Sequence, residues 1–472
     1  MQLWWKEGER EMNRTKKVYV LLAVLAVMSL VTFFATHVEK KKENIKESGE
    51  TVLEIPTDSV TAISWNTEKK QSFAFHKDEK KWINDADEAF PVDKKKMEKV
   101  LKSLEKAQAD FIIEDVEDFE QYGLKDPSCV IDVKTKDKNY KIEVGDFSEM
   151  DSERYVSIGD GNVYLMKKDP METFDVSQED FIKNDKIPEF PEVEKIEFKD
   201  TETHKIVCEE NDGSSYRKND KYFEKVDDKK IAMNPKSVEG YLADLTDLKL
   251  NHYVTYNATE EEIAQYGLDN PELKITVDYV QKNKDETEEK KTVVIQLGKN
   301  AEKKKDEEES GYLRVGDSKI IYEIGGEEYD SLIEKAGENL RYKEVIPFDF
   351  KDIKSMDVSM DGKTYTIEVD GNKDGTDYLY NGEKIDDATF GEKFKSLKVS
   401  EFIKEEPTEE KELSIVVTAK DESIPQVSID IYRYDGEECI VSVDNEPLGY
   451  LKRSKVINLK EAVNSVVLGK EE

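Results

Sequence analysis

Short runs in which apolar and polar residues alternate recur along most of this chain, the pattern of strands with one buried face. Near the start they are Val60-Thr-Ala-Ile-Ser-Trp65, Ser72-Phe-Ala-Phe75 and Lys81-Trp-Ile83. A different period follows: Met97, Val100, Leu101 and Leu104 fall at helical spacing, one apolar face of an amphipathic helix. Phe111-Ile-Ile113 comes next, then strand candidates at Val130–Val133, Tyr140–Val144, Tyr155–Ile158 and Val163–Met166. Short connections between them imply mainly antiparallel pairing.

The same order returns twice. Val238, Tyr241, Leu242 and Leu245 repeat the helical spacing, after an Asn234-Pro235 start signal. Phe390, Phe394 and Leu397 form a third, weaker copy. Gln121-Tyr-Gly-Leu-Lys-Asp-Pro127 returns as Gln265-Tyr-Gly-Leu-Asp-Asn-Pro271, and Tyr155-Val-Ser-Ile-Gly-Asp as Tyr312-Leu-Arg-Val-Gly-Asp. The third copy keeps only an echo, from Val441 to Tyr450, and has no Tyr-Gly-Leu. Two Lys/Glu-rich insertions in the second copy, Gln281–Lys291 and Ala301–Glu309, fit hairpin loops. The fold class expected is α+β: three tandem repeats at 52–186, 187–345 and 346–472, each a mainly antiparallel sheet with one packed helix.

Ahead of the repeats, Val18–Thr36 runs for 19 residues without a charge. As a helix it would be about 28 Å long, enough for a membrane span. Basic residues on its N-terminal side favour a cytoplasmic tail at 1–17 and a body outside the cytoplasm. The expected location is the cell membrane, single-pass, with 37–51 as a charged spacer. Phe33-Phe-Ala-Thr36 is a poor cleavage pattern, no cysteine follows for lipid attachment, and Met12 offers a second start.

Charge narrows the function classes. With 107 Asp and Glu against 72 Lys and Arg, the net charge is −35, which disfavours nucleic acid as a partner. Cys129, Cys208 and Cys439 are too far apart for a zinc site or a disulfide framework and read as small apolar strand residues.

Candidate chemistry is thin. Asp370, Asn372 and Asp374 match the first half of a calcium loop, but Asn381 stands where its bidentate glutamate belongs, and strand-like flanks replace helices. Gly362-Lys-Thr364 lacks the first glycine of a phosphate loop, and Ser103-x-x-Lys106 lies on the amphipathic helix without its partner motifs. His37, His76, His204 and His252 show no metal spacing. No catalytic residue, metal or cofactor is expected, and the chain reads as a non-enzyme. In the turns Tyr122-Gly123-Leu124-x-x-Pro127 and Tyr266-Gly267-Leu268-x-x-Pro271, glycine supplies positive φ and proline ends the local helix, so their expected role is structural.

The order of strands, Trp82, helix, Tyr-Gly-Leu-x-x-Pro turn and late Tyr-Val strand resembles a bacterial family of membrane-anchored repeat proteins of unknown function. Similar proteins are often encoded beside ABC-type transporter permeases of the gliding-motility-related kind. The resemblance implies an accessory, non-catalytic subunit with a membrane-protein partner, and it supplies no catalytic residues. A cell-envelope polymer or surface-ligand binding module is the other expectation, with Trp65, Trp82 and the many tyrosines as candidate sugar platforms, although each reads first as buried core.

Overall fold

A computed structural model describes residues 28, 44–67, 72–226, 229–300, 310–372 and 375–468. The chain divides into two compact units, Met1–Lys183 and Asn184–Glu472. The first holds one nine-stranded antiparallel sheet and the second holds two.

Across the first sheet the strands run Asn44–Leu53, Ala107–Glu114, Val163–Met166, Glu153–Ser157, Asn139–Ser148, Cys129–Thr135, Val60–Thr67, Ser72–Asp78 and Lys81–Asn84. The second runs Lys229–Ala232, Tyr222–Val226, Thr203–Cys208, Glu192–Lys199, Leu273–Lys282, Glu288–Lys299, Ser310–Val315, Ile321–Gly325 and Tyr253–Thr255. The third repeats the connectivity of the second, from Glu383–Lys384 at one edge to Val399–Phe402 at the other. In all three the strand after the helix crosses to the far side and pairs with the last strand, as at Phe111↔Leu165, Tyr253↔Tyr322 and Val399↔Leu451.

Alternation explains how these sheets bury a core in so polar a chain. In Ile353–Met360 and Lys411–Ala419, Ile353, Met356, Val358, Met360, Leu413, Ile415, Val417 and Ala419 are buried while most residues between them stay partly exposed. Matching rungs recur at the centre of each sheet: Ile131↔Ile142, Ile275↔Ile295 and Ile415↔Ile429.

Several expectations are corrected. The repeats do not carry one packed helix each. The first sheet has helices at Lys94–Glu105 and Met171–Phe174, the second at Pro235–Asp247, Glu260–Gln265 and Gly326–Glu334, and the third at Phe390–Lys395 and Arg453–Leu468. Sheet dominates, and the helices are a thin cover. A helical segment after the last strand of each sheet was missed because sequence reading followed the strongest helical period alone.

The charged spacer expected at 37–51 also gives way in part. Asn44–Leu53 is a strand on the outer edge of the first sheet, paired along Ala107–Glu114. Its charges are those of an edge strand, which hide strand alternation. Gln281–Lys291 is mostly ladder, with Lys282 paired to Glu288, whereas Ala301–Glu309 lies outside the described residues.

Among the described residues, no helix is long and apolar enough to cross a membrane. The single-pass anchor, and the membrane location and topology drawn from it, therefore lack support. The expected span Val18–Thr36 lies outside the described residues except for Met28.

Candidate functional site

The amphipathic helix Lys94–Glu105 begins at Asp93, whose carboxylate accepts a hydrogen bond from the Lys95 N–H, as an N-cap does. It buries Met97, Val100, Leu101 and Leu104. Its outer side carries Lys99, Lys102 and Ser103, and Lys106 follows its end. Beneath its C-terminal half, a cavity of about 430 Å³ opens onto the sheet. Ile131, Ile142 and Val156 from three neighbouring strands line the floor with Ile158, just past the end of Glu153–Ser157, and Leu53, Leu104, Met166 and Phe174 line the walls.

The cavity has a structural origin that comparison of the three sheets reveals. In the second sheet the helix Gly326–Glu334 lies over the equivalent face and sets the Tyr329 ring against Gly311, where a Cβ would come within 1.9 Å of the ring. In the third sheet the helix Arg453–Leu468 presses Val456, Leu459, Val463 and Val467 into one cluster with Ile415, Ile429 and Val441. In the first sheet the helix after the last strand is a single turn, Met171–Phe174, and buries only Phe174. By register with the last strand, Arg154 occupies the place of Gly311. Its guanidinium donates to Asp169 at 2.7 Å and to the Gly145 carbonyl at 3.0 Å.

The rim is cationic in a strongly anionic protein. Lys99, Lys102, Lys106, Lys167 and Lys168 all line it and are exposed. Lys167 stands 3.9 Å from Asp110, and the other four pair with no carboxylate among the described residues. Of the two carboxylates in the lining, Asp169 is committed to Arg154 and to the Met171 N–H at 2.8 Å, while Glu172 stays exposed. An apolar floor with a few polar groups at one mouth is the usual make-up of a small-ligand site, and the volume falls in the usual range of about 300–1,000 Å³.

Close to this rim, Glu153 has a buried Oε2 without a hydrogen-bond partner. Burial, and then the neighbouring Asp110 carboxylate, push the Glu153 carboxyl up to about 7. A carboxyl raised on folding costs stability once the unfolded chain ionises and the folded one does not follow. Stability from this group is therefore full below about pH 4.5, falls as pH rises toward 7, and is level above. Glu153→Gln is expected to raise the urea midpoint at pH 8 and to leave it nearly unchanged at pH 4. An equal shift at both pH values would show that ionisation at this position is not involved.

The two Tyr-Gly-Leu turns lie elsewhere. Gly123 and Gly267 both have φ of +68°, the left-handed conformation that ends a helix. The N–H groups of Leu124 and Leu268 return to the carbonyls of Phe119 and Ile263 at 3.1 and 2.9 Å. Tyr122 packs on Tyr155 with ring centroids 4.9 Å apart, and Tyr266 on Tyr312 at 4.6 Å. Each turn seats on a strand glycine: a Cβ at Gly145 would lie 2.2 Å from the Tyr122 carbonyl, and one at Gly298 2.3 Å from that of Tyr266. Pro127 and Pro271 stand two residues before the strands Cys129–Thr135 and Leu273–Lys282. Tyr155 alternates with Val156 along its strand, so the first turn packs on the face opposite the cavity.

Asp370 and Asn372 lie on the strand Lys363–Asn372, in a ladder that pairs Asp370 with Asp377 and Asn372 with Gly375, while Asp374 lies outside the described residues. That ladder is not the helix-flanked loop of a calcium site. Burial pushes the thiols of Cys129 and Cys439 up to about 12 and raises that of Cys208, which leaves them poor nucleophiles at neutral pH. His76 meets Asp85 at 2.6 Å and His204 meets Glu224 at 2.8 Å, each in a pair between neighbouring strands or their ends. Trp65, read from sequence first as buried core and otherwise as a sugar platform, is fully buried among Phe73, Phe75, Phe174 and Phe181.

Sequence reasoning missed the cavity. The spacing of Lys99, Lys102 and Lys106 along one helix side was the available signal, but a lysine side of a helix normally means only a solvated surface.

Tandem nine-stranded antiparallel sheets, the second and third of one connectivity and the first with an added edge strand and one strand fewer at its other edge, define a β-repeat protein. The chain belongs to the DUF4340 family, a domain of unknown function, whose model matches twice in tandem, at residues 82–232 and 225–414. Each match starts in one sheet and ends in the next, and most of the third sheet's second half lies beyond both. No curated protein matches the chain.

Proposed function

We propose that the chain is a non-catalytic binding module that holds a small ligand in the cavity of its first unit and serves a larger assembly, an ABC-type transporter complex, as an accessory subunit. The observation that carries the binding role is the apolar cavity between the first sheet and Lys94–Glu105, lined by five exposed lysines, where the helix after the last strand is a single turn rather than the nine and sixteen residues of the other two sheets. The cavity lining contains Ser103 as its one serine, and that hydroxyl donates to the Val100 carbonyl at 2.7 Å with no histidine among the lining residues. This arrangement favours holding a ligand over attacking it. The resemblance to proteins encoded beside transporter permeases supports the accessory role, with a permease as partner.

The test is recovery of partners. Tagged full-length chain is crosslinked in its native cells, purified in mild detergent and examined by mass spectrometry. Specific recovery of a transporter permease with its ATPase is the expected outcome. Recovery of the chain alone, while a control complex crosslinks normally, would overturn the accessory role.

A further inference from the structure

The chemistry of the cavity specifies a ligand class, and the inference rests on the binding role proposed above. We infer that the cavity of the first unit takes a single-chain amphipathic anion, with its hydrocarbon chain over Ile131, Ile142 and Val156 and its carboxylate or phosphate head at the lysine rim.

Three features lead there. The floor is made of branched aliphatic side chains from adjacent strands, a surface that matches a hydrocarbon chain and offers no hydrogen bonds to a sugar or a base. The lining also carries five exposed lysines, Lys99, Lys102 and Lys106 on and just after the helix and Lys167 and Lys168 just after the strand that ends at Met166. Four of these five ammonium groups have no carboxylate partner among the described residues, in a chain of net charge −35. Positive charge unneutralised in such a background selects an anion locally, because the distant carboxylates are screened beyond about 10 Å at ordinary ionic strength. Flexible lysine stems can follow the head while their methylenes extend the apolar wall.

Other occupants fit less well. A peptide strand would pair along a sheet edge, but the cavity floor is a sheet face whose ladder groups are already paired, as between Ile131 and Ile142. A nucleotide would need an aromatic or amide contact for its base. Phe174 is the one aromatic residue in the lining, and it is fully buried against Trp65 with centroids 5.4 Å apart. The other sheets show what the floor otherwise receives: apolar side chains of a covering helix, as Leu459 and Val463 do over the third sheet. A hydrocarbon chain replaces that cover chemically.

The test is calorimetric titration of the full chain with dodecanoate, dodecyl phosphate, dodecyl maltoside and inorganic phosphate below their micelle concentrations. Dodecanoate and dodecyl phosphate are expected to bind at one site per chain, with the neutral maltoside at least tenfold weaker and inorganic phosphate not saturating. Shortening the carboxylate from twelve to ten carbons should weaken binding roughly threefold or more per methylene lost. Lys99→Glu/Lys102→Glu/Lys106→Glu alters only exposed positions and should weaken dodecanoate at least tenfold. The control Lys354→Glu/Lys363→Glu/Lys420→Glu, in the second unit, makes the same charge change and should have little effect. Equal affinity for the maltoside, or equal losses in both triple variants, would overturn the assignment of the head to the rim. No binding of any chain-bearing probe would overturn the inference, and recovery of a permease with the unliganded chain would then leave the accessory role standing. Dodecanoate binding without permease recovery separates the two the other way.

Discussion

Gly145→Ala is expected to destabilise the first unit by about 2–4 kcal/mol, and Gly298→Ala the second by a similar amount. A methyl group at either position meets a backbone carbonyl at little over 2 Å, that of Tyr122 or Tyr266. Backbone cannot step aside as a side-chain tip can, so the turn must lift off the strand. Overpacking of a closed site costs about 1–3 kcal/mol, and the loss of the tilted and edge-on tyrosine pairs adds to it. Gly159→Ala is the comparison: unlike Gly145 and Gly298 it has positive φ, and nothing lies within 4 Å of its Cβ, so only backbone strain of about 1 kcal/mol is expected. Urea unfolding followed by Tyr and Trp fluorescence measures all three. Equal small losses would mean that the Tyr-Gly-Leu turn does not seat on the strand as described.

Trp65→Ala is expected to cost about 3–5 kcal/mol, the usual loss for a large buried aromatic. The side chain is 0% exposed and stacks on Phe73 at 4.7 Å, with Phe75, Phe174 and Phe181 between 5.4 and 5.8 Å. Phe174 belongs to the one-turn helix at the cavity wall, so collapse of this cluster should loosen that wall as well. Trp65→Phe should recover most of the stability, because the indole Nε1 is buried without a hydrogen-bond partner and its loss leaves no group unsatisfied. A Trp65→Ala variant as stable as the parent would show that the aromatic cluster is not the core of the first unit.

Much of the fold was legible in the chain. Period-two runs located strands such as Val60–Thr67 and Cys129–Thr135, and the spacing of Val238, Tyr241, Leu242 and Leu245 located a helix whose N-cap, Asn234, accepts from the Lys236 N–H. These signals are strong because one face of each element is buried and the other wet. The edge strand Asn44–Leu53 escaped because an edge needs charge rather than alternation, and its NIKESGE segment reads as a solvated linker. Helices such as Gly326–Glu334 escaped because nine residues hold barely two turns of period.

The cavity was illegible for a different reason. It is made by the shortness of Met171–Phe174 relative to its counterparts in the other sheets, so it exists as a difference between repeats. Floor residues such as Ile131 and Ile142 look the same in sequence as Ile275, Ile295, Ile415 and Ile429, and all six are buried on matching rungs. The length of the helix after the last strand distinguishes the sheets they belong to.

The most direct measurement is methyl NMR of the isoleucine-labelled full chain during titration with dodecanoate. The expected result is a set of saturable shifts confined to Ile131, Ile142 and Ile158, with Ile275, Ile295, Ile415 and Ile429 unmoved. Shifts spread evenly over all three sheets, or none at the three cavity positions, would contradict the claim that the cavity of the first sheet takes the hydrocarbon chain.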